Sequence, residues 1–124
     1  MLVNGKKGDL ISIRDRGLLY GDGVFRTMHV SQGRALIWPL HYQKLQHDCI
    51  ALGIPYPDET LLTAELNGLL LKHPEGVLKL IVTRGPGIRG YEPPAKPEPT
   101  RIWDISPLPD YPQDRAIEGI KARW

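Results

Sequence analysis

One cysteine, one phenylalanine and a net charge of only +2 are what this 124-residue chain holds least of. The lone Cys49 excludes an intrachain disulfide and a cysteine-rich metal site, and it fits a reducing compartment. Sixteen basic residues against fourteen acidic ones leave too little positive charge for a nucleic-acid or membrane-binding face. That balance still suits a small anionic substrate, which needs only a few placed cations. No apolar run approaches the roughly 20 residues of a membrane helix, and the first residues lack the apolar core of a secretory signal. The expectation is a cytoplasmic protein with neither nucleic acid nor membrane as a partner. His29, His41, His47 and His73 have no zinc-like spacing, so no metal site is expected.

Glycine and proline, by contrast, are plentiful, at 13 and 12 residues, and they punctuate the chain. Asn4-Gly5 supplies the positive φ angles of a tight turn, so Leu2-Val3 and residues 10–13 read as a hairpin. After the turn Gly21-Asp22-Gly23, residues 24–30 alternate as a strand with both faces in use. Gln32-Gly33 turns the chain into a short strand at 35–38. Pro39 suits the first turn of a helix, whose face is Tyr42, Leu45, Cys49 and Leu52 and whose end is Gly53. Asp58 caps a second helix with a buried stripe of Leu62, Leu66, Leu69 and Leu70. Residues 77–83 are nearly all apolar, as in a central strand, and 101–106 form another. The fold class expected is α+β, an antiparallel sheet with two helices packed on one face.

Proline-rich stretches at 93–99 and 108–118 read as an exposed loop and an interdomain linker. Residues 1–107 then form one domain. The alternation at 119–124 is that of a strand opening a further domain, cut short at Trp124.

Gly85-Pro86-Gly87-Ile88-Arg89-Gly90 has the spacing of a dinucleotide fingerprint, but Tyr91-Glu92-Pro93-Pro94 cannot open the helix that fingerprint requires. The glycines fit a loop that lets backbone approach a ligand, with Arg84 and Arg89 projecting from it. From spacing alone, a flexible loop with solvated arginines competes with that reading. Cys49 lies on an apolar stripe and reads as core, not as a nucleophile. Asp15, Arg16 and Asp22 read as an ion-pair network around the Gly21-Asp22-Gly23 turn.

Three stretches carry a resemblance. Asp15-Arg16-Gly17-Leu18-Leu19-Tyr20-Gly21-Asp22-Gly23-Val24-Phe25 resembles the N-terminal signature of fold-type-IV pyridoxal-phosphate enzymes. His41-Tyr42-Gln43-Lys44-Leu45 is similar to their His-x-x-Arg-Leu motif. Residues 82–91, Val82-Thr83-Arg84-Gly85-Pro86-Gly87-Ile88-Arg89-Gly90-Tyr91, resemble a run found in the aminodeoxychorismate lyases of that superfamily. The resemblance spans the chain.

It implies a two-domain homodimer with pyridoxal 5'-phosphate between the domains, this chain being the smaller N-terminal domain. The lysine that forms the Schiff base with the cofactor would lie beyond Trp124, and Lys121 does not match it. The implied reaction is elimination of pyruvate from 4-amino-4-deoxychorismate, giving 4-aminobenzoate for folate biosynthesis. Arg84, Arg89 and Tyr20 would bind the anionic substrate, because arginine is the natural fork for carboxylates. Lys44 stands where the family has a phosphate-contacting arginine, and it offers a point charge instead of a fork. Thr27 matches a threonine that the lyases hold beside the Schiff base, where branched-chain transaminases carry glycine. An aminotransferase of the same fold, for D-amino or branched-chain amino acids, is the alternative. A non-catalytic ligand- or partner-binding domain is a further alternative if the chain naturally ends at Trp124.

Overall fold

The computed structural model describes residues 1–110, 117, 119 and 121–123. Strands β1 (Leu2–Val3) and β2 (Lys6–Lys7) form a hairpin across Asn4-Gly5, whose φ angles of 50° and 78° are those the turn requires. Helix α1 (Arg16–Tyr20) follows, then β3 (Gly23–Ser31), β4 (Arg34–Ala35), α2 (Trp38–Leu52), α3 (Glu59–Leu70), β5 (Gly76–Thr83) and β6 (Thr100–Ser106). The strands make one sheet in the order β2-β1-β6-β5-β3-β4, antiparallel throughout. This is the α+β architecture expected from the sequence. Its two edges are strands of two residues each carrying Lys or Arg, which discourages pairing with another sheet.

The core lies on one face of that sheet. Met28, Val30, Leu78, Leu80, Val82 and Trp103 point there and meet Leu45 and Cys49 of α2 and the Leu62, Leu66, Leu69 and Leu70 stripe of α3. Burial pushes the Cys49 thiol up, so it packs as a neutral group. The indole nitrogens in this layer are satisfied. Trp103 Nε1 donates to Glu65 (2.8 Å), which also takes the Arg101 guanidinium, and Trp38 Nε1 donates to Thr63 (3.2 Å). The caps follow sequence. Asp58 accepts from Thr60 N at 2.8 Å, Pro39 sits in the first turn of α2, and Gly53 closes it with φ 63°.

Four expectations change. The hairpin's second strand is Lys6–Lys7, not residues 10–13, whose Leu10 and Ile13 lie 83% and 80% exposed with no strand beside them. The strand expected at 35–38 stops at Ala35, because Ile37 takes φ 53° and turns the chain into α2 at Trp38. A left-handed β-branched residue costs roughly 1–2 kcal/mol. Leu52, placed on the buried face of α2, is 49% exposed. The five-residue α1 has no hydrophobic period to announce it. The linker expected at 108–118 falls largely on residues outside those described, as do residues 120 and 124 of the strand expected at 119–124. Residues 108–110, 119 and 121–123 carry no strand or helix.

Leu80 is fully buried at the centre of the sheet, whereas Leu71 is 88% exposed. Leu80→Ala is expected to lower unfolding free energy by roughly 2–5 kcal/mol, and Leu71→Ala by less than about 0.5 kcal/mol. Urea titrations of both variants check this. Equal midpoints would contradict the placement of the core.

Candidate functional site

The first motif folds into α1 because of Asp15. Its Oδ1 accepts from Gly17 N at 2.8 Å, the N-cap bond of α1, and Oδ2 accepts from Thr83 Oγ1 (3.0 Å) and Thr100 Oγ1 (2.7 Å). Thr83 Oγ1 in turn accepts from Gly85 N at 3.0 Å. The carboxylate is fully buried. The fit around it is tight, since a methyl on Gly17 would overlap the Thr83 side chain and one on Gly85 would overlap the Glu98 carbonyl.

Asp22, just past the glycine that ends α1, stands between two guanidinium groups. Arg16 Nε reaches its Oδ2 at 2.7 Å, and Arg84 reaches Oδ2 at 2.8 Å and Oδ1 at 3.1 Å. The Arg84 hydrogen bonds, with Arg16 assisting and burial opposing, hold the Asp22 carboxyl below the usual carboxylate range. The network expected here therefore forms, but Asp15 takes its partners from hydroxyls and an amide, and Arg84 replaces it.

Arg84 does not project. It is 9% exposed, and its remaining donors bond the carbonyls of Gly53 (2.7 Å) and Leu52 (2.8 Å), the unpaired C-terminal carbonyls of α2. This corrects the expectation that it projects from the loop, because four of its N–H bonds are already directed into the protein. Arg89 is exposed on the same loop. Tyr20 packs on Tyr91 with ring centroids 5.6 Å apart, and its hydroxyl accepts from Gly90 N at 3.2 Å. The phenolic proton is left to donate elsewhere.

Thr27 is exposed on the sheet face opposite the helices. That face also carries Phe25, Ile81 and Ile102, aligned across β3, β5 and β6, and the pair Thr27–Lys79. A concavity of about 320 Å³ beside α1 is lined by Gly17, Leu18, Phe25, Ile81, Thr83 and Ile102. The structure thus brings Tyr20, Arg84 and Arg89 to one loop cluster.

Lys44 lies apart, on α2, where it pairs with Asp48. Arg26 of β3 pairs with the same carboxylate and donates to Lys44 O at 3.3 Å. Arg26 Nε is buried without a partner. Lys44, 60% exposed, keeps an ammonium that a phosphate could reach, whereas the Arg26 side chain is 17% exposed and its Nε is closed off from solvent. His41 nearby is pushed down by burial, then by the Arg26 charge, and so stays neutral at pH 7. Arg26 escaped the sequence reading, although a charged residue in the inward phase of 24, 26, 28 and 30 was a signal for it. Among the described residues no group of acidic, His or Cys side chains is arranged to hold a metal, and no helix is long and apolar enough to cross a membrane.

Residues 23–123 match the amino-transferase class IV family. The chain is 43% identical to the 4-amino-4-deoxychorismate lyase from Pseudomonas aeruginosa, with a TM-score of 0.89, over 96% of this chain and 44% of that one. An aminodeoxychorismate lyase from Vibrio harveyi is 34% identical over 92 residues, 73% of this chain and 34% of the relative. The pyridoxal-phosphate-bound form of a hypothetical aminotransferase from Mycobacterium tuberculosis superposes with a TM-score of 0.67 at 28% identity, covering 90% of this chain and 37% of that one. The chain therefore spans less than half the length of these relatives.

Asp22→Asn leaves two arginine side chains, 5% and 11% exposed, facing a neutral amide. The expected loss is roughly 3–5 kcal/mol at pH 7. Because the folded carboxyl titrates below its unfolded value, its contribution is complete above about pH 4 and disappears as pH falls through the lower folded value. Urea midpoints at neutral and acid pH test both points. The wild type should lose more on acidification than the variant, and parallel acid limbs would remove Asp22 from this role.

Proposed function

The chain belongs to the amino-transferase class IV family, and from that membership we propose that it is the N-terminal part of a pyridoxal-phosphate lyase. The reaction proposed is release of pyruvate from 4-amino-4-deoxychorismate, leaving 4-aminobenzoate, in a cytoplasmic homodimer. The observation that carries this reading is the cluster around the loop after β5. Arg89 is exposed there, and Tyr20 lies against the same loop with its hydroxyl proton free. The 43% identity to the Pseudomonas lyase over 96% of this chain supports it.

Pyridoxal phosphate supplies an electron sink for the substrate amine's carbon framework. The lysine that would bond it is proposed to lie in the share of the relatives' length that this chain does not span. Lys44 holds the phosphate, with Arg26 beside it. Arg89 grips a carboxylate of the substrate and Tyr20 donates a hydrogen bond to it. Arg84 serves this step indirectly, since its own donors secure the loop to α2. Thr27 Oγ1 donates toward the enolpyruvyl ether oxygen as its bond to the ring breaks, and its small side chain leaves room for a rigid ring. The apolar side chains of Phe25, Ile81 and Ile102 exclude water from that face.

An aminotransferase is the second reading, favoured by the likeness to the Mycobacterium aminotransferase. It needs no leaving-group acid at residue 27.

Pyruvate release from aminodeoxychorismate, measured beside transamination of D-alanine and L-leucine, separates the two. Turnover of the amino acids alone would assign the aminotransferase. Thr27→Gly should depress pyruvate release by up to roughly 10²–10⁴-fold, while Thr27→Ser retains much of the rate. Arg89→Ala should cost roughly 2–4 kcal/mol in kcat/KM with the cofactor spectrum intact. Lys44→Ala should weaken cofactor binding by roughly 1.5–3 kcal/mol, and Lys44→Arg should match or exceed the wild type. An unchanged cofactor dissociation constant in Lys44→Ala would refute the phosphate assignment.

A further inference from the structure

Arg16 touches neither the open sheet face nor the phosphate cluster, yet it is one of the most heavily bonded side chains in the molecule. It is 4% exposed. Besides its pair with Asp22, Nη1 donates to the carbonyls of Gly90 (3.1 Å) and Glu92 (3.2 Å), and Nη2 donates to Tyr91 O (2.9 Å). Its guanidinium carbon lies 4.8 Å from the Tyr20 ring centroid, within cation–π range. Three consecutive carbonyls thus converge on one planar group, and the chain after Arg89 curves around it. The neighbouring ties of this loop also run to the α1 segment. Gly87 N donates to Arg14 O at 3.1 Å, and Gly90 N donates to the Tyr20 hydroxyl at 3.2 Å. A methyl on Gly87 would stand 3.2 Å from Arg16 Cδ, so the loop also lies flush along the arginine stem.

We propose that Arg16 is a positioning residue for substrate recognition. It fixes residues 90–92 and thereby sets where Arg89 presents its guanidinium to the substrate carboxylate. The proposal rests on the reading of Arg89 given above. Arginine is required because only a planar fork with five N–H donors reaches three carbonyls and a carboxylate at once. A lysine keeps the charge opposite Asp22 but cannot chelate the loop.

The test uses the protein in the longest form in which it is produced, loaded with pyridoxal phosphate. Arg16→Lys is expected to melt close to the wild type, because the ion pair with Asp22 survives. KM for aminodeoxychorismate should rise roughly 10- to 100-fold, as for a group misplaced by about 1 Å, with a smaller change in kcat. Amide exchange at Gly87 and Gly90 should become about tenfold faster or more, reporting local release of the loop. Arg16→Gln, which also loses the ion pair, should show the same rise in KM together with a lower melting temperature.

A merely structural Arg16 would behave otherwise. Melting temperature and active fraction would fall while KM stayed within about twofold of the wild type in both variants, and that result overturns the proposal. If the wild type itself releases no pyruvate, the functional reading fails separately. The proposal then stands or falls on exchange alone, and Gly87 and Gly90 amides as slow in Arg16→Lys as in the wild type would end it.

Discussion

A carboxylate without a cation holds this domain's working end together. Asp15 is fully buried, and removing such a group from water is unfavourable unless its oxygens are met by donors. The donors come from four places in the chain: the start of α1, the end of β5, the start of β6 and, through Thr83, the loop at Gly85. These segments are up to 85 positions apart. The acid therefore specifies their meeting. Once α1 is fixed, Arg16 and Asp22 are fixed as well, and with them Arg84 and the loop that carries Arg89. The sheet supplies bulk stability on its helix-covered face, and Asp15 supplies registration on the other.

Four arginines and lysines that look alike in sequence are separated by what surrounds them. Arg84 ends beside the free carbonyls of α2 and becomes a cap. Arg16 ends beside carbonyls of the loop and becomes a clamp. Arg89 has no such surroundings and stays in solvent. Lys44 shares Asp48 with Arg26, so one carboxylate restrains both. The net charge over the whole chain is only +2.

Much of this was legible beforehand where local chemistry decides structure. The Asp58 cap, the leucines of α3, Pro39, Gly53 and the apolar run of β5 lie where their periods and dihedral preferences put them. What was not legible depended on distant partners. Leu10 and Ile13 have strand-like neighbours but no strand to pair with, and alternation does not create one. Helix α1 is shorter than two turns, so no stripe marks it. Whether Arg84 or Arg89 faces outward was decided by the end of α2, more than 30 residues earlier. The cluster at Arg26 was hidden because Asp48 sits on α2 and Arg26 on β3, 22 positions apart. Motif resemblance pointed to a region, and only the folded geometry separates the surroundings of the residues within it.

The contact between Gly17 and Thr83 also limits how this sequence can drift. Residue 17 has no space for a side chain while the Thr83 methyl is present, yet residue 83 must keep a hydroxyl for Asp15 and Gly85. Serine is the exchange at 83 that removes the methyl and retains the oxygen. Yet an alanine methyl at 17 would still lie 2.8 Å from the Cβ of residue 83 and 3.0 Å from Asp15 Oδ1, so serine at 83 does not open residue 17 to alanine. The two positions are distant in sequence, but the side chain at 83 and the buried Asp15 carboxylate together hold residue 17 as glycine.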